Sequence, residues 1–198
     1  MKPKTVPSSS PRPSRAEAEA AVETLIRWAG DDPGREGLRE TPARVVRAWE
    51  EYCAGYQTDA GAILDKTFAD LVGFDDFVLV RNIEFVSHCE HHMAPIIGVA
   101  HIAYWPGQKV VGISKLGRIV DMFAHRLSSQ ETMTRRLVEA LEMHLAPKGI
   151  AVTIDAEHHC MSDRGVKKRG SSTVTSLYTG VFKQDPQLQR RFVESCRS

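Results

Sequence analysis

The order of hydrophobic patterns along this 198-residue chain predicts an α+β fold built on an antiparallel sheet. Two amphipathic helical patterns precede the first strand pattern, and two more stand together in the middle of the chain. The strand patterns are grouped around that helix pair instead of alternating with single helices, so they do not form the βαβ repeat of a parallel sheet. A sheet of about four strands leaves edges to be covered or paired, which predicts association through those edges.

The composition bounds the class. Hydrophobic residues make up 42% and charged residues 26%, as in ordinary soluble domains, and the length suits one domain with a sizeable core. A formal net charge of +1 argues against a surface that generally coats nucleic acid. No apolar run approaches the roughly 18 residues of a membrane span. Four cysteines, two of them in His-containing clusters, do not resemble a secreted disulfide framework, so a reducing, cytoplasmic location is expected.

Residues 1–15 combine Lys2, Lys4, Arg12 and Arg15 with several prolines and lack an apolar stretch, which reads as a disordered tail. Residues 16–60 read as an N-terminal helical region and 61–198 as the main domain. Ser14 and Glu17 form a capping box for a helix carrying Ala18, Val22, Leu25 and Ala29, closed by Gly30. After the turn-rich 31–37, Thr41-Pro42 serves as N-cap and first helical residue, with Val45, Trp49, Tyr52 and Cys53 on one face. Arg44 falls in that helix's first turn, where a cation opposes the helix dipole, and reads as a surface residue.

Residues 77–80 and 83–86 read as one long strand, and 96–105 with 109–113 as a hairpin about Pro106-Gly107-Gln108. Ser114 is the expected cap of a helix with the stripe Leu116, Ile119, Val120, Phe123 and Leu127. Lys115 and Arg118 share another face near its start, either as a solvated charged surface or as an anion site at a helix N-terminus. Ser128-Ser129-Gln130-Glu131 reads as a capping box for a helix carrying Met133, Leu137, Leu141 and Leu145, with Glu131 closing the helix start. A strand from Ile150 carries His158 and Cys160, a basic stretch runs from Arg164 to Arg169, and a β-branched strand runs from 171 to about Phe182. The basic stretch has no interleaved aromatics, so an exposed loop explains it as well as nucleic-acid binding does. Pro186 opens a final helix whose Leu188 and Phe192 can pack.

The chemistry is concentrated in Cys89-Glu90-His91-His92. In one helical turn residues i and i+3 share a side, so Cys89 and His92 converge and His91 points elsewhere. A third ligand is available in Asp155-Ala156-Glu157-His158-His159-Cys160, where strand alternation puts His158 and Cys160 on one face. Cys89, His92 and Cys160 with a fourth position open to water is the pattern of a catalytic zinc, flanked by His91 and His158 as proton-transfer groups. The plainer alternatives are a Cys89–Cys160 disulfide and ordinary surface imidazoles. Two separate Cys/His clusters favour the metal.

Taken together, these residues resemble the GTP cyclohydrolase I family over residues 17 to 183. The resemblance rests on Arg35-Glu36-Gly37-Leu38, Glu40-Thr41-Pro42-Ala43-Arg44-Val45, Cys89-Glu90-His91-His92 with Pro95, Gly112-Ile113-Ser114-Lys115-Leu116 with Arg118-Ile119-Val120, Gln130-Glu131, and Asp155 to Cys160. It implies zinc ligands at Cys89, His92 and Cys160 and catalytic histidines at His91 and His158. It also implies triphosphate binding by Ser114, Lys115, Arg118, Arg164 and Arg44, and guanine recognition by Glu131 with Gln130. That assignment replaces capping as the reading of Glu131.

The implied reaction is hydrolysis of GTP to 7,8-dihydroneopterin triphosphate and formate, the first step of pterin and folate biosynthesis. The histidines would protonate N7, and zinc would supply the activated water that attacks C8. The implied fold is the tunnelling fold, assembled as a homodecamer with active sites between subunits, and no nucleic-acid or membrane partner is expected. Thr132 stands where the family commonly has arginine, Ser128-Ser129 replaces larger residues, and Glu90 has no assigned role. Two rival readings are a nitrile reductase of the same fold, which needs no metal, and a non-catalytic zinc-stabilised binding module with four protein ligands.

Overall fold

The structure, a computed structural model, describes residues 11–68 and 74–197. Residues 1–10 of the expected disordered tail therefore lie outside the described residues. The chain divides into two compact units, Met1–Glu51 and Tyr52–Ser198.

The first unit is helical. Helix α1 (Arg15–Trp28) starts at the expected capping box: the Ser14 hydroxyl accepts from the Glu17 N–H, and the Glu17 carboxylate accepts from the Ser14 N–H. Gly30, at φ 94°, ends it in the left-handed conformation that favours glycine. Helix α2 (Thr41–Tyr52) begins at Thr41 itself, so the expected cap is the first helical residue. Ion pairs along α1 are of the exposed i,i+4 kind, such as Arg15 with Glu19, and add little stability.

The second unit opens with a 3₁₀ turn at Ala54–Gln57 and helix α3 (Ala60–Leu64), capped by the Asp59 carboxylate. A five-stranded sheet follows in the order β5-β2-β3-β6-β7. Its members are β2 (Val78–Cys89), β3 (Pro95–Trp105), β5 (Leu127–Ser128), β6 (Gly149–His158) and β7 (Thr173–Tyr178). All pairings are antiparallel except the short parallel match of β2 with β5. Strand β2 is continuous as predicted, with a register shift between Val80 and Ile83 where Asn82 has φ 56°.

Helices α4 (Ile113–Ala124) and α5 (Gln130–Leu145) pack on one face of the sheet. Their predicted stripes are buried: Leu116, Ile119, Val120 and Phe123 from α4 and Met133, Leu137, Leu141 and Leu145 from α5 meet Ala100, Ile102, Tyr104, Val152 and Ile154. Side chains alternate across a strand, so Ala103 and Ala151 face the other side. There they are covered by Phe182 of α7 (Gly180–Gln184) and Phe192 of α8 (Pro186–Arg197). Fully burying each of these large apolar side chains contributes about 1.5–3 kcal/mol. The α+β class, the antiparallel sheet and the central helix pair agree with expectation.

Several local expectations are corrected. The hairpin partner of 96–105 is β2, because both edges of β3 are taken by β2 and β6 and residues 109–113 have no edge to join. Strand β4 (Val110–Val111) pairs instead with β1 (Thr67–Phe68). Gly112, not Ser114, is the N-cap of α4, and no side chain caps it. Leu127 lies in β5 and not on the α4 stripe. Ser129, not Ser128, caps α5, accepting from the Thr132 N–H, so the third helical residue is Thr132 and Glu131 closes nothing. Strand β7 stops at Tyr178, four residues short of Phe182, which belongs to α7.

Candidate active site

Cys89 ends β2, and the next residues turn the chain into β3. The Met93 N–H donates to the Cys89 carbonyl and the Cys89 N–H to the Ala94 carbonyl, both at 2.8 Å, with Met93 at φ 54°. This single turn gives the side-by-side placement that the i,i+3 spacing predicts. His92 Nδ1 lies 3.9 Å from Cys89 Sγ. The other half of the cluster follows β6, though not by strand alternation. Strand β6 ends at His158, and Cys160 sits on the short helix α6 (His159–Ser162). Because Ile96 of β3 pairs with His158, the two turns meet at one end of the sheet.

The donor atoms of Cys89, His92 and Cys160 all lie within 4.8 Å of one another. A zinc tetrahedron with metal–ligand bonds of 2.0–2.3 Å has edges of about 3.5–3.8 Å, so a small contraction would seat an ion. Two sulfurs and an imidazole are a donor set suited to zinc. Both thiols are free, which removes the disulfide alternative. Burial and the neighbouring Cys89 thiol push the Cys160 thiol up, with Arg164 acting in the opposite direction. A bound cation inverts that balance, since a coordinating thiol is deprotonated.

His91 does not point elsewhere as expected: the turn leaves its Nδ1 3.6 Å from Cys89 Sγ, closer than that of His92, with the ring exposed beside the donor group. His158 Nε2 is 2.7 Å from Gln130 Oε1. Burial lowers the pKa of His158, partly offset by the charge of Glu131, which places that carboxylate in the same neighbourhood. Glu131 is exposed in the first turn of α5, and Gln130 beside it is only 2% exposed. Glu90 lends its backbone N–H to the Ser128 carbonyl.

The cations predicted for a polyanion stand on separate elements: Arg44 on α2, Lys115 and Arg118 on α4, and Arg164 after α6. The Val111 N–H bonds to the Tyr104 hydroxyl, and Tyr104 pairs with Val78 and Ile150 at the end of the sheet away from the Cys89 turn. Ser114 and Lys115 follow within a few residues. Helix α4 then runs back over β2, its 12 residues spanning about 18 Å, until Leu127 and Ser128 pair with His88 and Cys89. Ser114 and Lys115 thus lie at the end of α4 far from the cluster, and Arg118 stands midway along the helix, beside Gly55, Thr58 and His125. Arg164 is exposed and acts electrostatically on Cys160. Arg44 belongs to the first unit, where it pairs with Glu40. Among the described residues, Lys115, Arg118 and Arg164 have no carboxylate within ion-pair distance.

Sequence reasoning missed a tie that holds the cluster's supports. Arg126 donates to the Gly55 carbonyl at 2.9 and 2.6 Å and to the Thr58 carbonyl at 3.3 Å, over the rings of Phe123 and Tyr56. The Leu127 N–H donates to the Tyr56 hydroxyl. These contacts fix β5, which touches Cys89 on one side and leads into Gln130 on the other. They join residues about seventy apart, and no local pattern announces them.

The GTP cyclohydrolase I family pattern matches residues 18–197. The chain belongs to that family. A GTP cyclohydrolase 1 from Hyphomonas neptunium is 56% identical over 190 residues, spanning 96% of this chain and 92% of its own length. Relatives of the same name from Allorhizobium ampelinum and Maricaulis maris are each 54% identical, covering 96% and 92% of this chain. A solved archaeosine synthase QueF-Like in its apo form overlaps 52% of this chain and 93% of its own at 17% identity, with a TM-score of 0.44, too slight a likeness to carry weight. The matched span includes Cys89, His92 and Cys160, which meet where β2 and β6 end. No described helix is long and apolar enough to cross a membrane.

Proposed function

We propose that this chain is a zinc-dependent GTP cyclohydrolase of the tunnelling fold, converting GTP into 7,8-dihydroneopterin triphosphate and formate. The observation that carries the proposal is the convergence of Cys89, His92 and Cys160 donor atoms in a chain of this family. A zinc ion held by these side chains supplies Lewis-acid chemistry and an activated water. The chain's own groups do the rest. His91 and His158 exchange protons with the purine, protonating N7 so that C8 becomes electrophilic. Glu131 binds the guanine edge with Gln130 next to it. Ser114, Lys115, Arg118, Arg164 and Arg44 neutralise the triphosphate through charge-assisted hydrogen bonds. Both C8–N bonds are hydrolysed, C8 leaves as formate, and the ribose carbons close the new ring.

The separation of Lys115 from the cluster along α4 supports an active site completed by a second copy of the chain, in a homo-oligomer of ten. A cytoplasmic location fits the free thiols. The nitrile-reductase alternative needs no metal, and a closed binding module needs a fourth protein ligand. The test is to incubate the purified, metal-analysed protein with GTP and assay formate and the oxidised fluorescent pterin. Both should appear. Cys160→Ser should lose them together with zinc, and His91→Ala should keep zinc but lose turnover. Normal turnover by His91→Ala overturns the role given to that ring, and turnover without any metal overturns the zinc reading.

A further inference from the structure

Gln130 is almost wholly buried at the start of α5, and its side chain reaches between two strands of the sheet. Its Nε2 lies 2.8 Å from the Thr173 carbonyl, 3.1 Å from the Ile154 carbonyl and 3.1 Å from Thr175 Oγ1. The direction of every hydrogen bond in this group can be worked out. Thr134 Oγ1 donates its one hydrogen to the Gln130 backbone carbonyl at 2.8 Å. At its 2.7 Å contact with Thr175 Oγ1, Thr134 must therefore accept. The Thr175 hydrogen is then spent, and Thr175 can only accept from Gln130.

The side-chain amide of Gln130 accordingly faces three acceptors, two carbonyls and a committed hydroxyl. Reversed, its oxygen would face the same three atoms with no donor among them, at the cost of an unsatisfied buried group. The nitrogen is fixed toward the strands, and Oε1 is fixed toward His158 Nε2, 2.7 Å away. A carboxamide oxygen cannot donate, so the hydrogen in that contact belongs to the imidazole. When the ring is neutral its one N–H is at Nε2, and Nδ1 carries the free lone pair.

We propose that Gln130 is a positioning residue that holds His158 in its Nε2–H tautomer through the Thr175–Thr134–Gln130 hydrogen-bond chain, leaving Nδ1 as the atom that exchanges a proton with the purine. The side-chain amide of Gln130, having no free donor, does not bind the base, and reading the guanine edge falls to Glu131. This rests on the reading of the chain as a GTP cyclohydrolase, and it departs from the pairing of Gln130 with Glu131 in base recognition. It also explains why Gln130 is buried while Glu131, the next residue, is exposed.

The test compares zinc-loaded protein with Gln130→Met, which keeps length and bulk but removes the polar atoms. Its kcat for GTP should fall by about 10–100-fold, the usual cost of losing an outer partner of a site histidine, while KM stays within about twofold. A KM raised about tenfold with kcat unchanged means that the amide binds the base, and overturns the proposal. The second readout is independent of turnover. With ¹⁵N-labelled histidine, and the His158 signals identified by their loss in His158→Ala, the unaltered protein should show a protonated Nε2 and an unprotonated Nδ1 near neutral pH. In Gln130→Met that preference should disappear. The opposite tautomer in the unaltered protein, or an unchanged spectrum in the variant, overturns the proposal. Should Gln130→Met fail to fold, Gln130→Asn keeps the amide but draws it back by one carbon–carbon bond of about 1.5 Å, and the same two readouts apply. If the unaltered protein releases no formate from GTP, the assigned reaction falls, while the tautomer spectrum still decides the role of Gln130.

Discussion

Replacing Gly98 by alanine tests whether the spacing of two strands holds the proposed zinc ligands together. Gly98 lies in β3, between Phe85 of β2 and Ala156 of β6. A Cβ built there would stand 2.2 Å from the Asp155 carbonyl oxygen and 2.5 Å from Ala156 Cβ. Optimal non-bonded contacts are about 3.5–4.0 Å, so β3 and β6 must part by roughly 1 Å. The obstacle is backbone, which cannot swing aside as a flexible side chain does. Overpacking of this kind costs about 1–3 kcal/mol. At roughly 2–4 °C per kcal/mol for a chain of this size, the metal-free protein should melt about 2–12 °C lower.

The displaced pair lies two residues from the Ile96–His158 pairing, so the Cys89 turn and Cys160 move apart with the strands. Zinc affinity, measured by competition with a chromophoric chelator, should drop by about tenfold or more. Gly117→Ala is the control, because its Cβ meets nothing within 4 Å. That change should leave the melting temperature the same or raise it, by about 0.4–1 kcal/mol of added stability. Adding Ala156→Gly to Gly98→Ala removes the contact with Ala156 Cβ, leaving those with the Asp155 carbonyl oxygen and the Cα of residue 156 at 2.6 Å, and should recover part of the loss. A Gly98→Ala protein that melts and binds zinc like the original refutes the reasoning.

Four further outcomes are expected. Ser129→Ala should cost about 1 kcal/mol in denaturant unfolding because Ser129 caps α5. Glu131→Gln should change stability by less than about 0.5 kcal/mol while impairing GTP turnover, and a reversed pair of results would restore Glu131 as the cap. Arg126→Met should destabilise by about 2–4 kcal/mol through the loss of its bonds to the Gly55 and Thr58 carbonyls, and Arg126→Lys should recover only part, since an ammonium cannot reproduce the fork. Burial lowers the pKa of His101, so the unfolded chain binds its proton first as pH falls. Its contribution to stability is present above the unfolded value near 6.5 and is lost as pH drops through the lower folded value. Melting temperatures should therefore fall from pH 7 to 5, less steeply in His101→Gln, with His88, shifted the same way by burial, keeping part of the slope.

The sequence by itself determined the elements whose cause is local. The Ser14–Glu17 box, the stripes of α4 and α5 and the i,i+3 convergence of Cys89 and His92 depend on residues within a turn or two of one another. Their periodicity could be read directly. Where two local signals competed, the sequence misled: Ser128 and Ser129 both fit a cap, and only the path of β5 selects Ser129, by pairing Ser128 with Cys89. Tertiary structure decided the rest, for physical reasons that no local pattern carries. Residues 110–111 could not complete a hairpin because the edges of β3 were already taken. Cys160 reached the cluster on a helical turn after β6 and not by strand alternation, through the register that sets Ile96 against His158. The burial of Gln130 among Ile154, Thr173 and Thr175, and the bonds from Arg126 to Gly55 and Thr58, join parts of the chain tens of residues apart. Such contacts form only when buried polar groups must find partners in the packed core, and that requirement is visible only after the strands are side by side.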